Sequence, residues 1–365
     1  MGSRGVVTLT LECTNACVFC GQHGLEPLPL ALPARIDEEL RELRARTDAV
    51  TFVGGEPGLV DGLDEWIAAA HALGFTRIGV QTNGHGFTHL SRLRALASAG
   101  LTDLHLSLLG ADAPVHDYHT GQPHSFERVL QCFAAARSAG LEVVVNTVLT
   151  RSNFRTLDAL ALLVVARGAA AWCISVPLVA GRAETNFDRV VPRLGLALPF
   201  ALRAIVLART HGVASFVSGA PLCLLGPHGT YAIVSESRAY GAVCETCPAR
   251  AACPGVDAIY LERFDGDEIA PRPSMVHVGV APSAGWPSDA FTGVGEHAPR
   301  GALVAASSPA RARRALPMLG RGVPAIAEVG RGEKRSGEAL RTLFPALFEK
   351  ESTPPDDDES GGSSG

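Results

Sequence analysis

The chain has 365 residues, 47% of them hydrophobic and 19% charged, and its formal net charge is −5. This composition is typical of a globular protein, and a slightly acidic balance without any run of Lys or Arg argues against a nucleic-acid partner. The sequence has no apolar stretch of about eighteen residues and no secretory signal pattern, so we expect no membrane span. We therefore expect a cytoplasmic protein, whose nine cysteines serve as metal ligands or catalytic groups rather than as disulfides.

Strand and helix patterns alternate along the first half of the chain. Short β-branched runs predict six strands, at residues 6–12, 49–57, 77–84, 103–110, 142–150 and 170–178. Helical patterns predict five helices between them, at residues 36–46, 63–74, 90–100, 125–140 and 156–168. Alternating βα units build a parallel sheet with right-handed crossovers. The predicted fold class is therefore α/β, a partial (β/α)6 TIM-like barrel with its chemistry at the carboxyl ends of the strands.

A first cysteine cluster follows the first predicted strand directly: Cys13, Cys17 and Cys20, spaced as CxxxCxxC. Three thiolates this close together can ligate three corners of a [4Fe-4S] cluster and leave the fourth iron open for another ligand. The alternatives are a zinc site or cysteines packed separately in the core. Structural zinc usually takes four protein ligands, and only His23 lies near enough in sequence to be the fourth. The spacing therefore favours an iron–sulfur cluster.

This first cluster, with Phe19 before its last cysteine, resembles the signature of the radical S-adenosylmethionine (radical SAM) superfamily. Further motifs at predicted strand ends are similar to those of that family: GGEP at 54–57, QTNG at 81–84, SLLG at 107–110 and NTVLTRSN at 146–153. The pairs HD at 116–117 and TG at 120–121 resemble a pattern of its peptide-modifying and uncharacterised members. The resemblance covers about half of the chain.

The resemblance implies S-adenosylmethionine as a cofactor, bound to the open iron of a [4Fe-4S] cluster on the three cysteines. The implied cofactor-binding residues are Phe19, Gly54, Gly55, Glu56, Pro57, Asn83, Ser107 and Asn146. Within GGEP, the glycines permit close approach of the backbone to the ligand, Glu56 accepts a hydrogen bond from the methionine ammonium, and Pro57 fixes the following turn. Ser107 and Asn146 either bind a carboxylate or ribose hydroxyls, or only cap their strand ends.

The activity that the resemblance implies is reductive cleavage of S-adenosylmethionine to a 5′-deoxyadenosyl radical, which abstracts hydrogen from a peptide or small-molecule substrate. An electron donor such as flavodoxin or ferredoxin would be the redox partner. Maturation of a ribosomally made peptide is one expectation, although the motif begins at residue 13 and we expect no precursor-binding domain before the barrel. The alternative is a non-catalytic iron–sulfur electron carrier or sensor, which would have no use for the GGEP loop.

A second cysteine cluster lies beyond the predicted barrel: Cys223, Cys244, Cys247 and Cys253, spaced C-x20-C-x2-C-x5-C. Four thiolates suit a fully ligated [4Fe-4S] cluster that transfers electrons, with zinc as the alternative. The placement and spacing resemble the auxiliary-cluster extensions of the SPASM and twitch types. A full SPASM domain ligates two clusters with more cysteines than remain here, so the twitch type, with one auxiliary cluster, fits better.

The sequence divides into four predicted regions. These are a radical SAM core at 1–215, a SPASM/twitch-like auxiliary domain at 216–265, a small α/β accessory region at 266–348 and a disordered tail at 349–365, which is acidic and rich in Pro, Gly and Ser. Two cysteines belong to neither cluster. We expect Cys132 and Cys173 to be buried core thiols, with a hydrogen-donor role in the barrel lumen as the alternative for Cys173.

Overall fold

The alternating strands and helices form a parallel sheet in the computed structural model of the chain, which describes residues 4–25, 33–233 and 239–271. The strands are β1 Gly5–Thr10, β2 Ala49–Gly54, β3 Arg77–Thr82, β4 Asp103–Ser107, β5 Glu142–Val148, β6 Ala171–Ser175, β7 Ala214–Ser218 and β8 Ala232–Ile233. They lie side by side in chain order, each parallel to the next. Over the described residues no pairing joins β8 to β1, so the sheet is an open, partial barrel. The predicted fold class is confirmed.

Helices connect the strands and cover the sheet. They are α1 Pro33–Arg44, α2 Leu63–Ala72, α3 Leu90–Ala99, α4 Ala113–Thr120, α5 Ser125–Ser138, α6 Leu157–Arg167, α7 Arg182–Thr185, α8 Phe187–Val190, α9 Leu194–Thr210 and α10 Ala258–Phe264. Their ends follow local chemistry. The Asp112 carboxylate accepts a 2.9 Å hydrogen bond from the Val115 amide at the start of α4, and Gly100 takes a φ of 117° where α3 ends.

One face of the sheet carries a buried apolar cluster. A polar side chain, Asn146, lies on the same face at the carboxyl end of β5. Val144, Cys173 and Phe216 belong to this buried cluster. Asn146 follows Val144 by two residues, so it lies on the same face, and it is the register partner of Cys173. Cys173 and Cys132 are both fully buried, as expected.

A charged group is buried at the opposite end of these strands, where β4 begins with Asp103 beside the first residue of β5. Arg4 and Asp103 form an ion pair with 0% side-chain exposure, in which one guanidinium nitrogen lies 2.8 and 3.0 Å from the two carboxylate oxygens. His105 Nε2 lies 2.7 Å from the same carboxylate. Although burial alone raises it, the pKa of Asp103 is held well below its ordinary range by the Arg4 charge and by His105.

The structure contains several elements that were not predicted from the sequence. Neither α4 nor the strands β7 and β8 were among the predicted elements, and β7 runs across the predicted boundary between residues 215 and 216. The Asp112 cap and Gly121 at the end of α4 are the local signals that could have identified that helix. Most of the predicted accessory region and the whole predicted tail lie outside the described residues, so both stay predictions.

Candidate functional site

The three cysteines of the first cluster lie in one loop, residues 11–25, which leaves the carboxyl end of β1 and is called the cysteine loop below. Cys13 is exposed, whereas Cys17 and Cys20 are half-buried. Burial raises the pKa of the Cys17 thiol to about 12, the neighbouring Cys13 and Cys20 thiols add to the increase, and Arg182 opposes it. The thiols are therefore close enough to interact electrostatically, and each would lose its proton on binding a metal.

The cysteine loop is held on one side by the end of α4. The backbone amide of Ala16 donates a 2.8 Å hydrogen bond to the Thr120 carbonyl oxygen, and the amide of Val18 donates a 3.0 Å bond to that of His119. The His119 and Phe19 rings lie 6.2 Å apart between centroids. The TG motif, Thr120 and Gly121, thus helps to hold the cysteine loop in place, a structural role that the family resemblance did not indicate.

The segment after β6 holds the other side of the same loop. The Arg182 amide donates a 2.9 Å hydrogen bond to the Cys20 carbonyl oxygen, and the Asn186 side chain donates a 3.0 Å bond to the Val18 carbonyl oxygen. Gly181 packs against the same turn with a φ of +54°. None of these three positions was predicted to belong to the site, because they lie far from the cysteines in sequence.

The two glycines of GGEP allow β2 to pass very close to the chain that leads into Cys13. A β-carbon on Gly54, whose φ is +145°, would lie 2.1 Å from the Thr10 carbonyl oxygen, and one on Gly55 would lie 2.0 Å from that of Glu12. The Gly55 amide donates a 2.7 Å hydrogen bond to the Thr10 oxygen. Any side chain here would push the cysteine loop away. The predicted approach of these glycines to a ligand stays a prediction.

Glu56 connects the loops after β2 and β3. Its carboxylate is fully buried and accepts hydrogen bonds from the Gly58 amide at 2.9 Å, the Thr82 hydroxyl at 2.6 Å and the Asn83 amide at 2.7 Å. Burial raises the pKa of Glu56, and these three bonds oppose the increase. The carboxylate therefore holds the two loops together, while its predicted bond to a methionine ammonium stays a prediction. Pro57 opens the short 3₁₀ turn that follows, as expected.

Two polar residues stand at neighbouring strand ends. Ser107 is the register partner of Asn146 across β4 and β5. Asn146 is only 8% exposed, and its side-chain carbonyl oxygen has no hydrogen-bond partner within the described parts of the chain. A buried polar atom left in this state costs free energy, and a bound ligand with a donor group would satisfy it.

The four cysteines of the second cluster come together around one cavity. Cys223, Cys244, Cys247 and Cys253 all line it, and its empty volume, which includes space open to solvent, is about 400 Å³. Burial raises the pKa of Cys223, and the nearby Cys253 and Cys244 thiols raise it further. Three separate turns thus bring their cysteines to the same cavity.

Backbone amides also point at this cavity. The Leu222 and Gly255 amides each donate a hydrogen bond to Cys253 Sγ at 3.4 Å. Such N–H···S bonds surround the sulfurs of protein-bound iron–sulfur clusters and help set their potentials. The Tyr240 hydroxyl donates a 2.7 Å bond to the Cys253 carbonyl oxygen.

The residues present at both sites fit iron–sulfur clusters in their donor chemistry. Each set consists of thiols, the ligands that iron–sulfur clusters take. Across the ranges that the structure describes, no group of three or more His, Cys, Asp or Glu side chains is placed to share a single metal ion. The same ranges contain no helix both long and apolar enough to cross a bilayer.

Part of the chain is similar to known proteins. Residues 7–164 match the model of the Radical SAM superfamily. The chain is 30% identical over 190 residues to an AdoMet-dependent heme synthase of Nitratidesulfovibrio vulgaris, covering 50% of each protein. It is 32% identical over 170 residues to a PqqA peptide cyclase of Methylocella silvestris, covering 44% of this chain and 43% of that protein. The chain thus spans about half the length of the curated relatives it matches.

A solved structure shares the fold. The crystal structure of Streptococcus suis SuiB bound to S-adenosylmethionine superposes with a TM-score of 0.52 at 17% identity, over 62% of this chain and 52% of that one. At this level of identity the likeness concerns the fold alone. It supports the partial barrel described above.

Proposed function

From the match of residues 7–164 to the model of the Radical SAM superfamily, we propose that the chain is an enzyme that cleaves S-adenosylmethionine reductively at a [4Fe-4S] cluster on Cys13, Cys17 and Cys20. The observation that carries the proposal is the geometry of the cysteine loop. Its three cysteines lie in one loop at the carboxyl end of β1, and the loop is held by hydrogen bonds to α4 and to the segment after β6. A rigid loop keeps the ligand spacing that a cluster requires.

The bound cluster and cofactor would supply one-electron cleavage of S-adenosylmethionine into methionine and a 5′-deoxyadenosyl radical, which takes a hydrogen atom from the substrate and becomes 5′-deoxyadenosine. The chain's own residues orient these groups and exclude water. Glu56 fixes the loops beside the cluster. Asn146 and Ser107 stand where a polar ligand would meet the strand ends, and the unpartnered Asn146 oxygen would accept a hydrogen bond from a ribose hydroxyl.

An auxiliary [4Fe-4S] cluster on the second set of cysteines is part of the proposal, in a SPASM/twitch-like extension at residues 216–265. The four thiols around one cavity support it. Because four protein ligands would leave no iron open, this cluster would transfer electrons rather than bind substrate. The first-cluster region at residues 1–215 would then be the catalytic core.

We propose a peptide or a small molecule as the substrate. The names of the two relatives point in different directions, since one is a heme synthase and the other a peptide cyclase. The proposal therefore has two alternatives. The chain either matures a peptide or oxidises a small molecule. Flavodoxin or ferredoxin would supply the electron, in the cytoplasm.

The test is anaerobic reconstitution with iron and sulfide, followed by reduction with dithionite in the presence of S-adenosylmethionine. Iron, sulfide and zinc are counted, and 5′-deoxyadenosine is assayed. We expect about eight irons per chain for two clusters. Replacing all three first-cluster cysteines with Ala should halve the iron and abolish 5′-deoxyadenosine. Replacing the four second-cluster cysteines with Ala should also halve the iron but leave cofactor cleavage measurable.

The variant Cys132→Ala is the matched control, because it removes a buried thiol that belongs to neither cluster, and it should keep all of the iron. Zinc without sulfide at either site would contradict the corresponding cluster. A reducible cluster without any 5′-deoxyadenosine would contradict the enzyme and favour an electron carrier or sensor.

A further inference from the structure

Asn83, which follows β3, is held in the site through every polar group that it has apart from its backbone carbonyl. Its backbone amide donates to the buried Glu56 carboxylate at 2.7 Å. Its side-chain oxygen accepts a 2.9 Å bond from the His85 amide. Its side-chain nitrogen donates to the Thr14 hydroxyl at 2.9 Å and to Cys13 Sγ at 3.6 Å.

These contacts fix which end of the amide faces the cysteine. An amide N–H at His85 can only donate, so the oxygen of the Asn83 side chain must face it. The –NH2 group is thereby directed at Thr14 and Cys13. A nitrogen–sulfur distance of 3.6 Å is compatible with an N–H···S bond, since sulfur is larger than oxygen. The orientation follows from the hydrogen-bond network rather than from a choice between two equivalent fits.

Cys13 also lies close to a negative charge. Although Cys13 as a whole residue is exposed, loss of water around its sulfur is the main cause that raises the pKa of the thiol, and the charge of the nearby Glu56 carboxylate raises it further. The Asn15 amide donates a second hydrogen bond to the same sulfur at 3.4 Å. The Cys13 sulfur is thus near a buried carboxylate, and two N–H donors offset the effect of that negative charge on the thiol.

We propose that the Asn83 side chain donates a hydrogen bond to the Cys13 thiolate of the bound cluster and so raises the reduction potential of that cluster, with Glu56 and His85 fixing its position. The inference rests on the proposed [4Fe-4S] cluster of the first site. Adding an electron makes the cluster and its thiolates more negative, so an N–H donor stabilises the reduced form more than the oxidised form. Asn83 is then a tuning residue of the cluster rather than a contact to S-adenosylmethionine.

The experiment compares wild type with Asn83→Ala, Asn83→Asp and the control Thr14→Val, all reconstituted anaerobically. The readout is the midpoint potential of the first cluster, followed by EPR during redox titration in a background where the second-cluster cysteines are Ala. We expect a shift to more negative potential in Asn83→Ala and a larger one in Asn83→Asp, which also adds a negative charge. Thr14→Val removes the other partner of the same –NH2 group and should leave the potential unchanged.

A second measurement uses the unmutated sequence, in case the variants fail to take up iron. Asparagine labelled with ¹⁵N only at the side-chain amide is incorporated, and pulsed EPR of the reduced cluster is recorded. A ¹⁵N coupling to the cluster is expected, and the Asn15 backbone amide cannot produce it because that nitrogen is unlabelled. The same spectrum of Asn15→Gln, which removes the labelled side chain of the cysteine loop itself, should keep the coupling.

The outcomes separate the two proposals. Variants with full iron and an unchanged potential, or a wild-type cluster with no ¹⁵N coupling, would overturn the role of Asn83 and leave the cluster standing. A wild-type protein that binds no iron and sulfide would instead overturn the proposed function itself.

Discussion

Gly181 lies directly against the carbonyl oxygen of Cys20, because a β-carbon at position 181 would be only 2.7 Å from that oxygen. The glycine also takes a φ of +54°, a conformation that other residues adopt only at a cost. Position 181 therefore controls how closely the segment after β6 can approach Cys20, the last cysteine of the first cluster.

We expect Gly181→Ala to displace the cysteine loop and to lower the iron content of the first cluster at least severalfold. Gly212→Ala is the matched control: its φ is +87°, but no atom lies within 4 Å of the added carbon. It should cost about 1–2 kcal/mol of unfolding free energy from backbone strain alone and keep the iron. Iron analysis and urea unfolding of both variants measure the difference, and equal iron in the two would contradict this role of Gly181.

The pH dependence of stability should depend on His116. Its side chain is 1% exposed, and its Nδ1 accepts a hydrogen bond from the Leu109 amide at 3.2 Å, which requires the neutral ring. Burial lowers the pKa of His116 to about 4, with the nearby His119 lowering it further and Asp117 opposing the change. Since the folded pKa lies below the unfolded one, the unfolded chain binds the proton first as the pH falls.

The stabilising contribution of neutral His116 is therefore present above about pH 6.5 and is lost as the pH falls towards 4. Between pH 7 and pH 5 this loss amounts to about 2 kcal/mol. We expect His116→Asn, whose side-chain oxygen can still accept from Leu109, to reduce that loss. The unfolding free energy of the variant should still depend on pH, because burial also lowers the pKa of His105 and His119. Urea unfolding at pH 7, 6 and 5 tests this, and parallel curves for wild type and variant would contradict it.

The buried ion pair of Arg4 and Asp103 should be essential for folding stability. Asp103→Asn would leave the Arg4 guanidinium buried without a countercharge, a change that typically costs about 3–5 kcal/mol. Glu142→Gln is the control, because it breaks an exposed ion pair in which Arg77 Nη2 lies 2.7 Å from Glu142 Oε2. The Arg77 side chain is 28% exposed and the Glu142 side chain 52%. That change should cost less than about 1 kcal/mol. Denaturant unfolding measures the loss of unfolding free energy in both variants. Equal losses would contradict an essential role of the buried ion pair.

Asn146 should contribute to binding rather than to stability. Its side-chain oxygen has no hydrogen-bond partner among the described residues, so Asn146→Leu should leave the unfolding free energy unchanged or raise it by up to about 1 kcal/mol. If the oxygen binds the cofactor, the same variant should weaken S-adenosylmethionine binding about tenfold. Anaerobic calorimetry on cluster-loaded protein measures the affinity.

The neighbouring Thr147→Val is the control for this prediction. The Thr147 hydroxyl donates to the Leu108 carbonyl oxygen at 2.7 Å and accepts from the Trp172 indole at 2.9 Å, so its loss should cost about 1–3 kcal/mol of stability without changing affinity. A stability loss in Asn146→Leu with unchanged affinity would contradict the binding role.

The first half of the fold could be predicted from the sequence because its signals are local. Alternating strands and helices, ended by glycines and prolines, specify βα units, and right-handed crossovers leave few ways to assemble them. The same regularity places each motif at a strand end, which is why the cysteines and GGEP could be located in advance. β8 has only two residues, too few for any periodic pattern, and it was missed.

The sequence by itself thus determined the parallel sheet and the family resemblance, from which the thiol donor sets are predicted. Only the tertiary structure decided what holds those thiols. The Asn186 bond to Val18 spans 168 residues, and the Asn83 bond to Cys13 spans 70. No pattern along the chain encodes such pairs, because they form only when sheet packing brings separate loops to the same edge. For the same reason only the structure shows that Glu56, whose predicted ligand contact stays a prediction, is a buried acceptor that joins two of those loops.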